Sequence, residues 1–255
     1  MPRPPARVLP ASVLAALVLL TAAACTSGRS GRAAETAASP SVTRPAAPAP
    51  VSVPPTTALT QEQAQEALLT EADLGPVWAP TQGAATWRDG VLKAQTEVPD
   101  CQRLLDALYA DEPLGAPSGA HAVAAFDDGD DEAQLRHQVF ALRAADADRA
   151  LAWLRTLPQT CARFMATTVR SGLQDVQVTD LALPEVGDAR QGLRVTFTGD
   201  LATLTLDVAA VRLGDDAITL TTGALGTPPE DTTTESLLLS TDRLTTVHHQ
   251  ERAQA

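Results

Sequence analysis

From Leu59 onward the apolar residues follow two rhythms, one returning every third or fourth residue and one every second residue. The first marks helices, and the second marks strands with one buried face. Gln61 to Thr70 predicts a helix, with Thr60 at the N-cap and Gln63 placed to complete a capping box. Asp100 to Ala110 predicts another, because Cys101, Leu104, Leu105, Leu108 and Tyr109 form a single stripe. A third helical region runs from Asp146 to about Met165, with Ala147, Ala150, Leu151 and Leu154 on one side. Pro158 interrupts it, and Cys161, Phe164 and Met165 carry the apolar side further. A last helix is expected from Thr232 to His248, aligning Leu237, Thr241, Leu244 and His248.

Strands occupy the remainder. His121 to Phe126 and Gln134 to Leu142 flank the turn-like Asp127-Asp128-Gly129-Asp130-Asp131, the pattern of a hairpin. Leu193, Val195 and Phe197 alternate with Arg194, Thr196 and Thr198. Leu204, Leu206 and Val208 alternate with Thr205 and Asp207, and Ile218 and Leu220 with Thr219 and Thr221. Gly199-Asp200 and Gly214-Asp215 join these runs into an antiparallel meander, one face buried and one wet. The expected fold class is α+β: a single domain in which an antiparallel sheet carries helices on its apolar face.

The first 58 residues follow neither rhythm. Arg3 and Arg7 precede a mostly apolar run, Ala11 to Ala24. That run is shorter than the roughly 20 residues of a membrane span and suits a signal-peptide core. Leu20-Thr21-Ala22-Ala23-Ala24-Cys25 then resembles a bacterial lipobox, whose cysteine takes a diacylglyceryl group. Ala22 stands where Leu is usual, and Ala22-Ala23-Ala24 also fits Ala-x-Ala cleavage, which would release the protein without lipid. The expectation is a signal peptide over residues 1–24 and lipidation at Cys25, since two acyl chains suffice for stable anchoring. Thr26 to about residue 58 is rich in Pro, Ala, Ser and Thr and reads as a disordered tether. Residues 59–248 form the domain, and 249–255 are expected as a disordered tail.

Charge narrows the partners. The chain has 19 basic and 31 acidic residues, and the first 58 hold five Arg and one Glu. The rest therefore carries 14 basic against 30 acidic groups, a net −16, which repels nucleic acid and anionic headgroups alike. Membrane attachment must then come from the lipid on Cys25. With Cys25 acylated, Cys101 and Cys161 remain as a pair, both inward on helices. An exported protein makes a disulfide of them.

No catalytic constellation emerges. Asp127 to Glu132 concentrates carboxylates, yet it lacks a spaced calcium loop, and a solvated turn accounts for it. His121, His137, His248 and His249 have no metal-ligand spacing, and no activated-serine or phosphate-loop motif occurs. Trp78, Trp87 and Trp153 read as packing anchors in a chain with 3% aromatic residues.

Several short motifs are together distinctive. They are Ala67-Leu68-Leu69-Thr70-Glu71-Ala72-Asp73-Leu74-Gly75, Cys101 heading a Leu-rich helix, and Asp148-Arg149-Ala150 leading to Cys161-Ala162-Arg163-Phe164. The late strand Asp207-Val208-Ala209-Ala210-Val211-Arg212-Leu213-Gly214 completes the set. With the lipobox and tether, they resemble the actinobacterial sensor-domain lipoproteins, which are similar to the extracellular sensor domain of the mycobacterial receptor kinase PknH. The resemblance implies a helix-flanked antiparallel sheet with a cleft for a small extracellular ligand, and it assigns no catalytic residue. The kinase sensor has two disulfides, whereas this domain has cysteines for one. Lacking a kinase half, such a protein would report through a partner.

The expectation is thus a lipid-anchored extracytoplasmic protein without enzyme activity or cofactor, binding a small ligand at unspecified residues. An envelope module that docks on a protein partner is the alternative. A hydrolase with no recognisable motif is the third reading.

Overall fold

In the computed structural model, which describes residues 59–82, 88–130, 132–200, 202–228 and 231–254, Thr60 caps helix α1 (Gln61–Glu66) as its spacing predicts. Its hydroxyl accepts from Gln63 N–H, and the Gln63 amide oxygen accepts from Thr60 N–H at 2.8 Å. The helix stops short of the expected Thr70. Leu69 turns inward and donates its N–H to His137 Nδ1 at 3.1 Å, and Thr70 caps a separate turn, α2 (Glu71–Leu74). The signal peptide, Cys25, the tether and Trp87 lie outside the described residues.

Strands β1 (Trp78–Pro80), β2 (His121–Asp128), β3 (Ala133–Ala141), β4 (Arg163–Thr168), β5 (Gly172–Asp180), β6 (Ala189–Thr198), β7 (Thr203–Leu213) and β8 (Asp216–Leu225) form one antiparallel sheet. Their order is β1-β2-β3-β8-β7-β6-β5-β4. The hairpin β2–β3 and the meander β6–β7–β8 match expectation, with registers such as Phe126 opposite Leu135 and Leu206 opposite Gly223. Helix α3 (Pro99–Ala110) precedes the hairpin. Helix α4 (Ala144–Thr160) carries the chain from β3 to β4 at the far edge, and α5 (Thr232–Gln254) closes the fold. The 17 residues of α4, at about 1.5 Å each, span about 25 Å. Five strand spacings of about 4.8 Å separate β3 from β4, so the helix length fits the crossover.

Three expectations change. Cys161 caps the C-terminus of α4 rather than lying within it, and Phe164 and Met165 belong to strand β4. Alternate burial along β4, with Phe164 and Ala166 inward and Met165 exposed, settles the period as two. Pro158 does not end α4, because it sits in the last turn and forfeits only the bond to the Leu154 carbonyl. The tail expected over 249–255 is helical through Gln254, continuing α5.

Helices also cover both faces of the sheet rather than one. On the front face, α3 and α4 bury Phe164, Val176, Val178, Val195, Leu206 and Val208, the inward residues of β4 to β7. On the back face, α1 and α5 bury Leu135, Val139, Val211, Ile218 and Leu220 of β3, β7 and β8. Burial therefore changes sides near β7, and Val208-Ala209-Ala210-Val211 is apolar without alternation because both its faces are covered. Each half of the sheet keeps one open face: the front over β2, β3 and β8, and the back over β4 to β6. Cys101 and Cys161 form the expected disulfide, with Cα atoms 5.6 Å apart and both residues buried. Together α3 and α4 become one clamp on the front face.

Candidate functional site

The front face is where helices end and open sheet begins. Helix α3 stops at Asp111, which adopts a left-handed conformation (φ 58°) as C-cap. Its carboxylate Oδ2 lies 2.9 Å from Arg136 Nε, and its carbonyl accepts from Gln138 Nε2 at 2.7 Å. Gln138 Oε1 in turn sits 2.9 Å from His121 Nε2. Further along the same face, Asp127 accepts from Gln134 Nε2 at 2.7 Å and from Thr81 Oγ1 at 2.8 Å. The outward residues of β2 and β3 thus make a polar, mutually bonded surface that ends against α3.

Two hollows open on the front side of the sheet. The smaller, of about 20 Å³, has Leu206 and Thr221 as floor, with Leu92, Leu108 and the Asp111–Arg136 pair as walls. The larger, of about 70 Å³, is lined by Val91, Phe197, Leu204, Leu225 and Gln174 among others. Leu204 and Leu206 are successive front-face residues of β7, so the hollows are neighbours along that strand. Val91 and Leu92 separate them, in a π-helical turn at Arg88–Leu92 of the kind found at functional sites. Ser171 Oγ ties this turn to the sheet by donating to Gly90 O at 3.0 Å. Volumes of this size take the end of a ligand rather than a whole drug-sized molecule, whose sites run to about 300 Å³ or more.

The residues singled out in the sequence fall mostly elsewhere. His137 is fully buried on the back face, and burial, then repulsion from Arg243, pushes its imidazole down to about 3 despite Asp73. Asp73 is held below the ordinary carboxylate range: burial raises it, but hydrogen bonds from Thr70 and the charge of Arg243 outweigh that. His248 Nε2 pairs with Asp216 Oδ2 at 3.1 Å. Asp128 closes the β2–β3 turn by accepting from Asp130 N–H at 2.9 Å. Among the described residues, no three His, Cys, Asp or Glu side chains gather as a metal site. Trp78 is buried, and Trp153 packs under the Arg103 guanidinium, 3.9 Å from the ring centroid. Of the four histidines, only His121 reaches the polar front surface.

The open back half is a field of ion pairs. Arg194 grips Asp207 with two bonds, at 2.6 and 2.7 Å, and this pairing holds its guanidinium firmly charged. Arg163 pairs with Asp175, which lowers that carboxyl.

Sequence reading did not reach Gln174, Arg136 or the Val91–Leu92 turn. Gln174 lies on β5, whose signal was the alternation of Val176 and Val178 after Gly172.

The architecture defines a fold class, an eight-stranded antiparallel sheet flanked by helices. Among solved structures, the chain is similar to the extracellular domain of PknH from Mycobacterium tuberculosis, at 14% identity and a TM-score of 0.50, covering 76% of this chain and 99% of that one. The likeness is one of fold. No protein-family model and no curated protein matches the chain. Among the described residues, no helix is long and apolar enough to cross a membrane.

Proposed function

We propose that the protein is a lipoprotein, held at the outer face of a bacterial membrane through Cys25, whose sensor-like domain binds a small ligand without transforming it. The observation that carries the ligand half is the pair of neighbouring hollows on the front face. Each has an apolar floor and a few polar groups, and the smaller is walled by Leu108 of α3, the helix that Cys101–Cys161 ties to α4. The similarity to an extracellular domain and the lipobox-like run before Cys25 support the location. A binding role rather than catalysis fits the way His248, Asp207 and Asp127 are tied into structural pairs. Ligand occupancy is passed on through a protein partner.

Two experiments test this. Cells fed an alkyne-tagged palmitate should label the wild-type chain and not the Cys25→Ser variant, which should leave the membrane fraction. Equal membrane retention of both would remove the anchor. For the ligand, envelope extracts should raise the Tm of the wild-type domain, and Leu206→Trp, which fills the smaller hollow, should cancel the rise.

One observation favours a second reading, a protein-docking module. Met165, Val169 and Leu173 are exposed together around the β4–β5 hairpin at the sheet edge. Such an apolar group suits a macromolecular contact. Cross-linking that maps a reproducible partner onto this hairpin in a ligand-free domain would replace the first reading.

A further inference from the structure

The first elements of the domain, residues 59–75, pack on the back face and end at Gly75, whose φ of 92° closes α2. Their buried apolar side chains are small: Leu59, Ala64, Ala67 and Leu69. Polar bonds from three other elements hold the segment down. From β2, the His121 backbone exchanges two bonds with the Gln61 amide, at 2.8 and 3.1 Å. From α5, Arg243 donates to both Asp73 carboxylate oxygens, at 3.2 and 3.0 Å, and to the Glu66 carbonyl at 3.2 Å. From β3, the fully buried His137 accepts the Leu69 N–H at Nδ1. Beyond Gly75 the chain is fixed again by the buried Trp78 of β1.

His137 is the member of this set that a proton undoes. Nδ1 must stay bare to accept from Leu69, and Nε2 is buried with no hydrogen-bond partner among the described residues. The charged groups acting on the ring are Arg243 of α5 and, more weakly, Asp73 of α2. Its strand neighbours are Ala124 of β2 and Leu220 of β8, and the α1 carboxylates, Glu62 and Glu66, are exposed. An imidazolium accepts nothing from Leu69, and it repels the guanidinium that clamps Asp73 and Glu66. We infer that residues 59–75 are a strap that acid releases: a proton on His137 Nδ1 breaks the Leu69 bond, weakens the Arg243 clamp, and lets the strap swing about Gly75 while the sheet stays folded. Release uncovers His137 and its back-face neighbours Ala122 and Val139. The freed strap, roughly 17 residues at about 3.3 Å each, adds about 55 Å to the reach of the tether.

Amide hydrogen exchange of the full chain in lipid nanodiscs, read by mass spectrometry, tests this. With the intrinsic pH dependence of exchange divided out, protection over residues 59–75 should fall about thirtyfold between about pH 7 and about pH 5, because the open strap lets His137 take a proton. Protection there should be at least about tenfold below that of β7 and β8, and indifferent to low urea, since the opening is local and exposes little surface. His137→Asn should keep strap protection level across the same pH range. Gln61→Ala, which cuts the bond to β2 and leaves His137 untouched, should lower strap protection at both pH values and preserve their ratio. Strap protection equal to that of β7 and β8, or strap exchange that accelerates with low urea, overturns the inference. A pH-dependent fall that persists in His137→Asn overturns it as well.

Discussion

Between about pH 7 and about pH 5, acid should weaken this protein through His137. Its ring is fully buried, and Nδ1 accepts from Leu69 N–H, which fixes the neutral form with the proton on Nε2. The folded protein holds the imidazole at about 3 against an ordinary 6.5. Below 6.5 the unfolded chain binds a proton that the folded chain refuses, so stability falls with pH across the window from 6.5 to 3. Each unit in that window is worth about 1.4 kcal/mol. Going from about pH 7 to about pH 5 therefore removes about 2 kcal/mol, or about 4–8 °C of Tm for a domain of this size. Urea unfolding followed by the fluorescence of Trp78 and Trp153 reads this directly. His137→Asn retains an acceptor near Nδ1 and cannot titrate. It should be less stable at neutral pH through lost packing, but its stability should change by about 2 kcal/mol less than wild type between about pH 7 and about pH 5. Parallel pH profiles for the two proteins would refute the assignment and place the acid sensitivity elsewhere.

Other consequences concern the scaffold. Replacing Cys101 and Cys161 by Ala opens a loop with a sequence separation of 60, which should cost about 4 kcal/mol and lower Tm by about 8–16 °C in calorimetry. Arg194→Met leaves the nearly buried Asp207 carboxylate without its partner and should cost about 1–3 kcal/mol in urea unfolding. Arg163→Met, at an exposed pair, should leave the midpoint unchanged. Gly192→Ala should destabilise by about 1–3 kcal/mol, because its Cβ would lie 2.4 Å from the Leu181 carbonyl oxygen. A wild-type midpoint in that variant would mean the Leu181 segment yields freely.

Much of the architecture was legible because its signals are local. The stripe Cys101-Leu104-Leu105-Leu108 is the buried side of α3, and Leu237, Thr241 and Leu244 are the buried side of α5. The Asp-Gly turn between β2 and β3 announced its hairpin. Elements were missed where local patterns compete. Cys161, Phe164 and Met165 have helical spacing, yet chain reversal after Cys161 makes β4 of the last two. Strand β1 spans three residues and ends in Pro80, too short to show a period. The swap of burial from front to back across β7 depends on which strands neighbour one another, and no single strand encodes that order. The hollows were illegible for the same reason: Leu92, Leu108, Arg136, Gln174 and Leu206 come from five separate elements. A lone Gln in an unrecognised strand carries no signal until its surroundings are known.

Native mass spectrometry of the chain from Leu59 onward, released from the envelope of its own cells, decides whether the front face of this domain holds a small ligand. The expected spectrum shows the domain mass plus one adduct of definite mass, lost in the Leu206→Trp variant. A clean domain mass from wild type, with no thermal shift in envelope extracts, would contradict it and shift the function to the exposed β4–β5 hairpin.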